Sequence, residues 1–155
     1  MSHSPNHNSQ GNLIFEGNFK NGKKDGQGRQ YHTSHSFTQS FRYEGIFEND
    51  KLQGYAEEYS CYNKKLYDGM FVDGKYQGGG VEYEHTGVGV KYSGNFKNGK
   101  YECEGTEYHL DSEQVKYTGN FKNGLYDGSG KEFHKNGVLK YNGNYKNGKF
   151  DDYGK

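Results

Sequence analysis

One pattern constrains this chain more than any other. Six times an aromatic residue, a glycine two places on and a second aromatic two places further are followed, one residue later, by a turn dipeptide. The openings are Phe15-Gly17-Phe19, Tyr43-Gly45-Phe47, Tyr67-Gly69-Phe71, Tyr92-Gly94-Phe96, Tyr117-Gly119-Phe121 and Tyr141-Gly143-Tyr145, at intervals of 24 to 28 residues. Period-two alternation of this kind predicts a half-buried strand. The dipeptides Asn21-Gly22, Asn49-Asp50, Asp73-Gly74, Asn98-Gly99, Asn123-Gly124 and Asn147-Gly148 predict type I′ hairpin turns, because both residues tolerate positive φ. The chain is therefore read as a stack of hairpins, and a recurrence at this period points to a repeat architecture.

A two-residue turn carries the register outward. Phe121 is expected opposite Tyr126, Gly119 opposite Gly128, and Tyr117 opposite Gly130, so that rings lie over glycine floors. The other face, with residues such as Asn18, Asp25, Asn95 and Glu102, is polar. Asp50, Ala56, Cys103 and Asp152 depart from the pattern and mark expected weak points.

Composition fits this reading. Only 29% of residues are apolar and 17% are aromatic, with 16 Tyr and 10 Phe, so order has to come from aromatic packing within the repeats. Twenty basic and twenty acidic residues balance to zero, which removes the usual electrostatic argument for nucleic acid as a partner. Met1 to Asn12 has no aromatic residue and reads as a flexible tail, leaving residues 13–155 as the repeat domain. Cys61 and Cys103 fall at different repeat positions, so no disulfide framework is expected; that agrees with an intracellular, cytoplasmic protein. No apolar run is long enough to span a bilayer as a helix.

The motif Tyr-x-Gly-x-Phe-x-Asn-Gly-x-x-x-Gly-x-Gly resembles the MORN repeat (membrane occupation and recognition nexus), over nearly everything from Phe15 to Gly154. The resemblance implies an all-β fold: an elongated, single-layer, curved antiparallel sheet of about six stacked hairpins, the last incomplete. It also implies a non-catalytic interaction or scaffold module in cytoskeletal, ciliary or membrane-associated assemblies, and it brings neither catalytic residues nor a cofactor.

A single sheet has no second layer to cover its apolar face, so a row of partly exposed rings is expected to grip a helix or strand edge of a partner protein. The candidates are Tyr43, Phe47, Tyr67, Phe71, Tyr76, Tyr92, Phe96, Tyr101, Tyr117, Phe121 and Tyr126. The alternative is a membrane-surface module, with Lys20, Lys23, Lys24, Lys97, Lys100, Lys122, Lys146 and Lys149 meeting anionic headgroups from a rim of turns. A further alternative, prompted by the end at Lys155, is the targeting domain of a larger enzyme. His32, His109 and His134 share a repeat position but stand a hairpin apart, so no metal site is expected. Gly78-Gly79-Gly80 is followed by no Gly-Lys-Ser/Thr, so phosphate binding is not expected either.

Overall fold

The computed structural model describes residues 2–7, 13–32, 40–86 and 88–151. It is all-β: the described residues form thirteen strands and no helix. The chain divides into two units, residues 1–75 and 76–155. The first holds β1 (Ser2–His7), β2 (Leu13–Lys20), β3 (Lys23–Tyr31), β4 (Ser40–Glu48), β5 (Lys51–Ser60) and β6 (Lys65–Val72). The second is built from β7 (Lys75–Tyr83), β8 (Val90–Lys97), β9 (Lys100–Tyr108), β10 (Val115–Lys122), β11 (Leu125–Phe133), β12 (Leu139–Lys146) and β13 (Lys149–Phe150). Within each unit the strands pair antiparallel in chain order, hairpin after hairpin.

The stretch read as a flexible tail contains β1, whose Ser2 to Asn6 pair with Phe19 to Phe15 of β2. Composition missed it because β1 has no apolar face; backbone hydrogen bonding to the edge of β2 holds it. Pro5, which donates no N–H, is tolerated because β1 is an edge strand. The expected anomaly at Asp152 lies outside the described residues.

The turns form as their sequences demand. Asn21, Asn49, Asp73, Asn98, Asn123 and Asn147 have φ between 49° and 52°, and their followers, Asp50 included, lie between 72° and 83°. Asp50 has a use that glycine lacks: its Oδ1 accepts the Lys24 N–H at 2.8 Å while its own N–H donates to the Lys24 carbonyl at 3.0 Å. The same backbone tether recurs between successive hairpins, from Gly74 to Leu52, Gly99 to Tyr76, Gly124 to Tyr101 and Gly148 to Tyr126.

Beyond the turns the register differs from the simple extrapolation. Phe121 faces Tyr126 as expected, but Gly119 faces Gly130 and Tyr117 faces Glu132. Two extra residues have entered the second strand, and the same bulge recurs in the β2–β3, β4–β5 and β8–β9 hairpins. Its cause is the residue two after Phe19, Phe47, Phe96 or Phe121's cross-strand partner. Gly26, Gly54 and Gly128 hold φ of 96°, 77° and 101°, and Cys103 is forced to 57°. Asn120 braces the bulge, its Nδ2 donating to the Ser129 carbonyl at 3.3 Å, and Asn95 does the same to Glu104 at 3.1 Å.

The bulge brings glycines into rows. In the second unit Gly80, Gly94, Gly105, Gly119, Gly130 and Gly143 are successive cross-strand partners. In the first the row is Gly17, Gly28, Gly45, Ala56 and Gly69. The opening rings Phe15, Tyr92, Tyr117 and Tyr141 lie on these rows: a Cβ at Gly130 would sit 2.2 Å from the Tyr117 hydroxyl, and one at Gly105 2.1 Å from that of Tyr92. Having reached across, the hydroxyls of Tyr67, Tyr92 and Tyr117 donate to the carbonyls of Met70, Asn95 and Asn120 at 2.9 to 3.1 Å. The aromatic core is this seat, closed by neighbouring rings: Tyr117 stacks on Tyr126 at 3.7 Å and meets Phe121 and Tyr145 edge-on.

Ala56 is the exception that shows the rule. Its methyl occupies the glycine seat of the second hairpin. Tyr43 is left partly exposed, and its hydroxyl lies 3.4 Å from Glu58 Oε1.

Candidate functional site

The structure changes the picture of the aromatic face. Phe47, Tyr67, Phe71, Tyr92, Phe96, Tyr117 and Phe121 are at most 3% exposed, so the glycine seats and neighbouring rings have already consumed their surfaces. Tyr43, Tyr76, Tyr101 and Tyr126 keep partial exposure. The expected row of partly exposed rings thus narrows to these four, and the hydroxyls of three of them reach carboxylates, Tyr43 that of Glu58. Tyr101 donates to Glu82 Oε2 at 3.1 Å and Tyr126 to Glu107 Oε2 at 2.6 Å. Burial, reinforced by these carboxylates, pushes both phenols well above their ordinary range; burial, joined by the charges of Asp127 and Glu132 and opposed by the bond to the Asn120 carbonyl, takes Tyr117 up to about 12.

Those hydroxyl bonds belong to a recurring triad that the sequence reading did not assemble. Glu82 also binds Lys91 Nζ at 3.3 Å, Glu107 binds Lys116 at 3.7 Å, and Glu132 binds Lys140 at 3.1 Å while accepting the Tyr145 hydroxyl. The first two triads each join three successive strands of the second unit, and the third joins β11 to β12 alone. Its sequence signal was the Glu recurring before each closing aromatic, at a spacing that becomes meaningful only once the bulge sets the register.

The candidate lysines divide. Lys20, Lys23, Lys97, Lys100, Lys122, Lys146 and Lys149 are exposed at the turns. Lys24 is not a rim residue: its Nζ donates to Gln30 Oε1 at 2.8 Å and lies 5.1 Å from the centre of the Phe15 ring, and burial lowers its pKa despite the nearby Asp50. The acidic turn neighbours are structural, since Glu102 and Asp127 accept the N–H groups of Asn123 and Asn147 in the next turn. His109 bonds the Phe133 carbonyl through Nε2 at 2.9 Å, and no group of three metal-ligating side chains converges among the described residues.

Exposed apolar surface appears where the sequence reading expected none. Ile46, Tyr55, Met70 and Val72 lie on the outer face of β4, β5 and β6, opposite the buried rings, and are 42% to 54% exposed. Tyr55 is the cross-strand partner of Met70, and Val72 follows Met70 by two residues on the same face. The signal was legible: Asn stands between the glycine and the second aromatic at 18, 95, 120 and 144, and Ile and Met replace it at 46 and 70.

The second unit's outer face is different in kind. There an open groove of about 610 Å³ runs along the glycine row, flanked by Ser93, Thr106, Thr118 and Ser129. Several of these groups already satisfy one another, as Thr106 and Thr118 do at 3.0 Å.

The hairpins match a known family. The MORN repeat model matches residues 15–36, 43–61, 67–83, 92–108 and 117–138, so that each match starts at an opening aromatic. No curated protein matches the chain. With well over half of the chain matched, in register with the aromatic seats and I′ turns, this chain belongs to the MORN repeat family.

Proposed function

We propose that the chain is a non-catalytic protein-interaction module that serves a larger cytoskeletal, ciliary or membrane-associated assembly. The MORN repeat is a non-catalytic module of general use in interaction and membrane association. The observation that carries the reading is the exposed apolar group Ile46, Tyr55, Met70 and Val72 on the outer face of β4, β5 and β6. Contiguous exposed apolar side chains of this size mark interaction surfaces, whereas single ones do not. Docking there works by removing these side chains from water, with Tyr55 as a rigid anchor. Quantitative affinity purification from the native source, comparing wild type with the Ile46→Asn, Met70→Asn double variant, tests it. Proteins recovered by wild type and lost by the variant are expected; identical recoveries count against the reading.

A second reading, attachment to an anionic membrane surface, has its own observation. Lys122, Lys146 and Lys149 are exposed at the turns of the second unit, where Leu125 and Phe150 are also 48% and 52% exposed. Cations beside exposed apolar side chains suit an interface of headgroups and acyl chains. Flotation with anionic vesicles at low and physiological salt decides it, since binding that is absent, or indifferent to salt, removes the electrostatic mechanism.

A further inference from the structure

The repeats serve as controls for one another. One row of outward positions runs through Asn18, Gln27, Ile46, Tyr55 and Met70 in the first unit. The matching row in the second unit is Gly79, Asn95, Glu104, Asn120, Ser129 and Asn144. Only the stretch across β4, β5 and β6 is apolar. At residue 72, likewise, Val stands where the equivalent positions are Lys20, Glu48, Lys97, Lys122 and Lys146. The replacement gives up something structural, because Asn95 and Asn120 use their amides to brace the bulge and neither Ile46 nor Met70 has an amide to offer. A chain built only to stack hairpins has no reason to exchange a bracing amide for exposed hydrocarbon.

A second row lies beside the first, two residues back along the strands. Glu44 pairs with Glu57, and Glu57 with Asp68, so three carboxylates stand in line. The corresponding residues of the second unit are Val81, Ser93, Thr106, Thr118, Lys131 and Asn142, none of them acidic. Like charges directly across a ladder oppose folding. Here Glu44 is held by Arg29 and Arg42 at 3.1 and 2.8 Å, while Glu57 and Asp68 both turn to Lys65 at 3.4 and 3.5 Å. Negative charge is therefore concentrated at the β5–β6 end of the row, next to Tyr55 and Met70. Tyr55 touches both rows, its hydroxyl lying 3.4 Å from Glu57 Oε1.

We propose that the outer face of β4, β5 and β6 docks an amphipathic helix of a partner protein, laid across the strands, with Lys or Arg along one flank. This deepens the interaction reading above and rests on it. The geometry suits a helix: Ile46 to Met70 spans two strand spacings, about 10 Å, close to the rise between residues i and i+7. Apolar side chains at i, i+3 or i+4, and i+7 cover Ile46, Tyr55 and Met70, and a basic residue on the flank nearer Asp68 meets the Glu57–Asp68 pair. Charge on that flank sets orientation and association rate more than affinity.

A displayed library of amphipathic helices, with the apolar stripe constant and the flanking positions randomised, is selected on the full chain. Two variants serve as counter-targets: Ile46→Asn with Met70→Asn, and Glu57→Gln with Asp68→Asn. The first restores the residue that four sibling hairpins use, so its melting temperature is expected to equal or exceed that of wild type; Tyr55→Ser, after Ser129, is an independent variant. Selected clones are expected to carry Lys or Arg on one flank, to bind the Asn variant and Tyr55→Ser about tenfold or more weakly, and to weaken about fivefold on the Gln/Asn variant with loss of salt dependence. Clones that need Ile46 and Met70 but show no basic flank, and ignore Glu57 and Asp68, overturn this inference and leave the interaction reading standing. If no clone distinguishes wild type from the Asn variant or Tyr55→Ser, both fall.

Discussion

Gly130→Ala tests the account of the core most directly. The ideal Cβ at residue 130 lies 2.2, 2.4 and 2.5 Å from the hydroxyl oxygen, Cζ and Cε2 of Tyr117, roughly an ångström inside ordinary contact. Nothing flexible stands in the way that can yield except the ring itself, which is fully buried, stacked on Tyr126 and bonded to the Asn120 carbonyl at 2.9 Å. The chain already displays the outcome at Ala56, where Tyr43 is partly exposed and its hydroxyl turns to Glu58. Losing that hydroxyl bond costs about 1 kcal/mol. Re-exposing part of a ring whose full burial stabilises by about 1.5–3 kcal/mol adds about 1–2 more. Reduced freedom of the unfolded chain returns about 0.5 kcal/mol. The net expectation is a loss of about 2 kcal/mol, read by urea unfolding followed by circular dichroism and by tyrosine emission, since the chain contains no Trp. A loss below about 0.5 kcal/mol, or a Gly130→Ala structure with Tyr117 unmoved, refutes the seat as the organising element.

Cys103→Gly is expected to stabilise the β8–β9 hairpin by about 0.5–1 kcal/mol, because Cys103 occupies a left-handed conformation, φ 57°, that costs a non-glycine residue about 1–2 kcal/mol; slower amide exchange in that hairpin checks it. Glu107→Ala removes the acceptor of the Tyr126 hydroxyl and the partner of Lys116, and is expected to cost about 1–2 kcal/mol in urea unfolding, while Lys116→Ala alone costs under about 1 kcal/mol. Alkaline stability follows from Tyr59 and Tyr117, both raised to about 12 from 10.0, Tyr117 by burial and Tyr59 by burial and its bond to Glu57. A raised phenol favours the fold while neutral, so this contribution is complete below about pH 10 and drains away toward pH 12. Phenolate absorbance is expected to lag behind that of the urea-unfolded chain over this range, and coincident titrations exclude the seat.

Local chemistry determines much of this protein. An Asn-Gly or Asp-Gly step needs only its own backbone to choose a I′ turn, and Phe121 opposite Tyr126 follows from the turn alone. The number of hairpins, their all-β character and the polar-versus-aromatic division of faces were equally readable, because period-two alternation acts within a single strand. The edge strand β1 was not: its residues show no pattern, and only the open backbone of β2 gives it a place. Register beyond the turn was not readable either, since it depends on a left-handed residue such as Gly128 and on the reach of the Asn120 amide across the bulge.

Burial of the rings required the tertiary structure for the same reason. Tyr117 finds its seat on Gly130 only after the bulge has moved that glycine opposite Gly119, and it is closed off by Tyr126 from its own hairpin and Tyr145 from the next. Sequence alone therefore identified the aromatic residues and laid them over glycines, but left them partly exposed where the structure buries most of them. The outward direction of Ile46 and Met70, each between an inward glycine and an inward aromatic, was legible from the same alternation; that Tyr55 stands beside Met70, so that the three expose hydrocarbon together, was decided by the sheet, because the bulge in β5 sets that register.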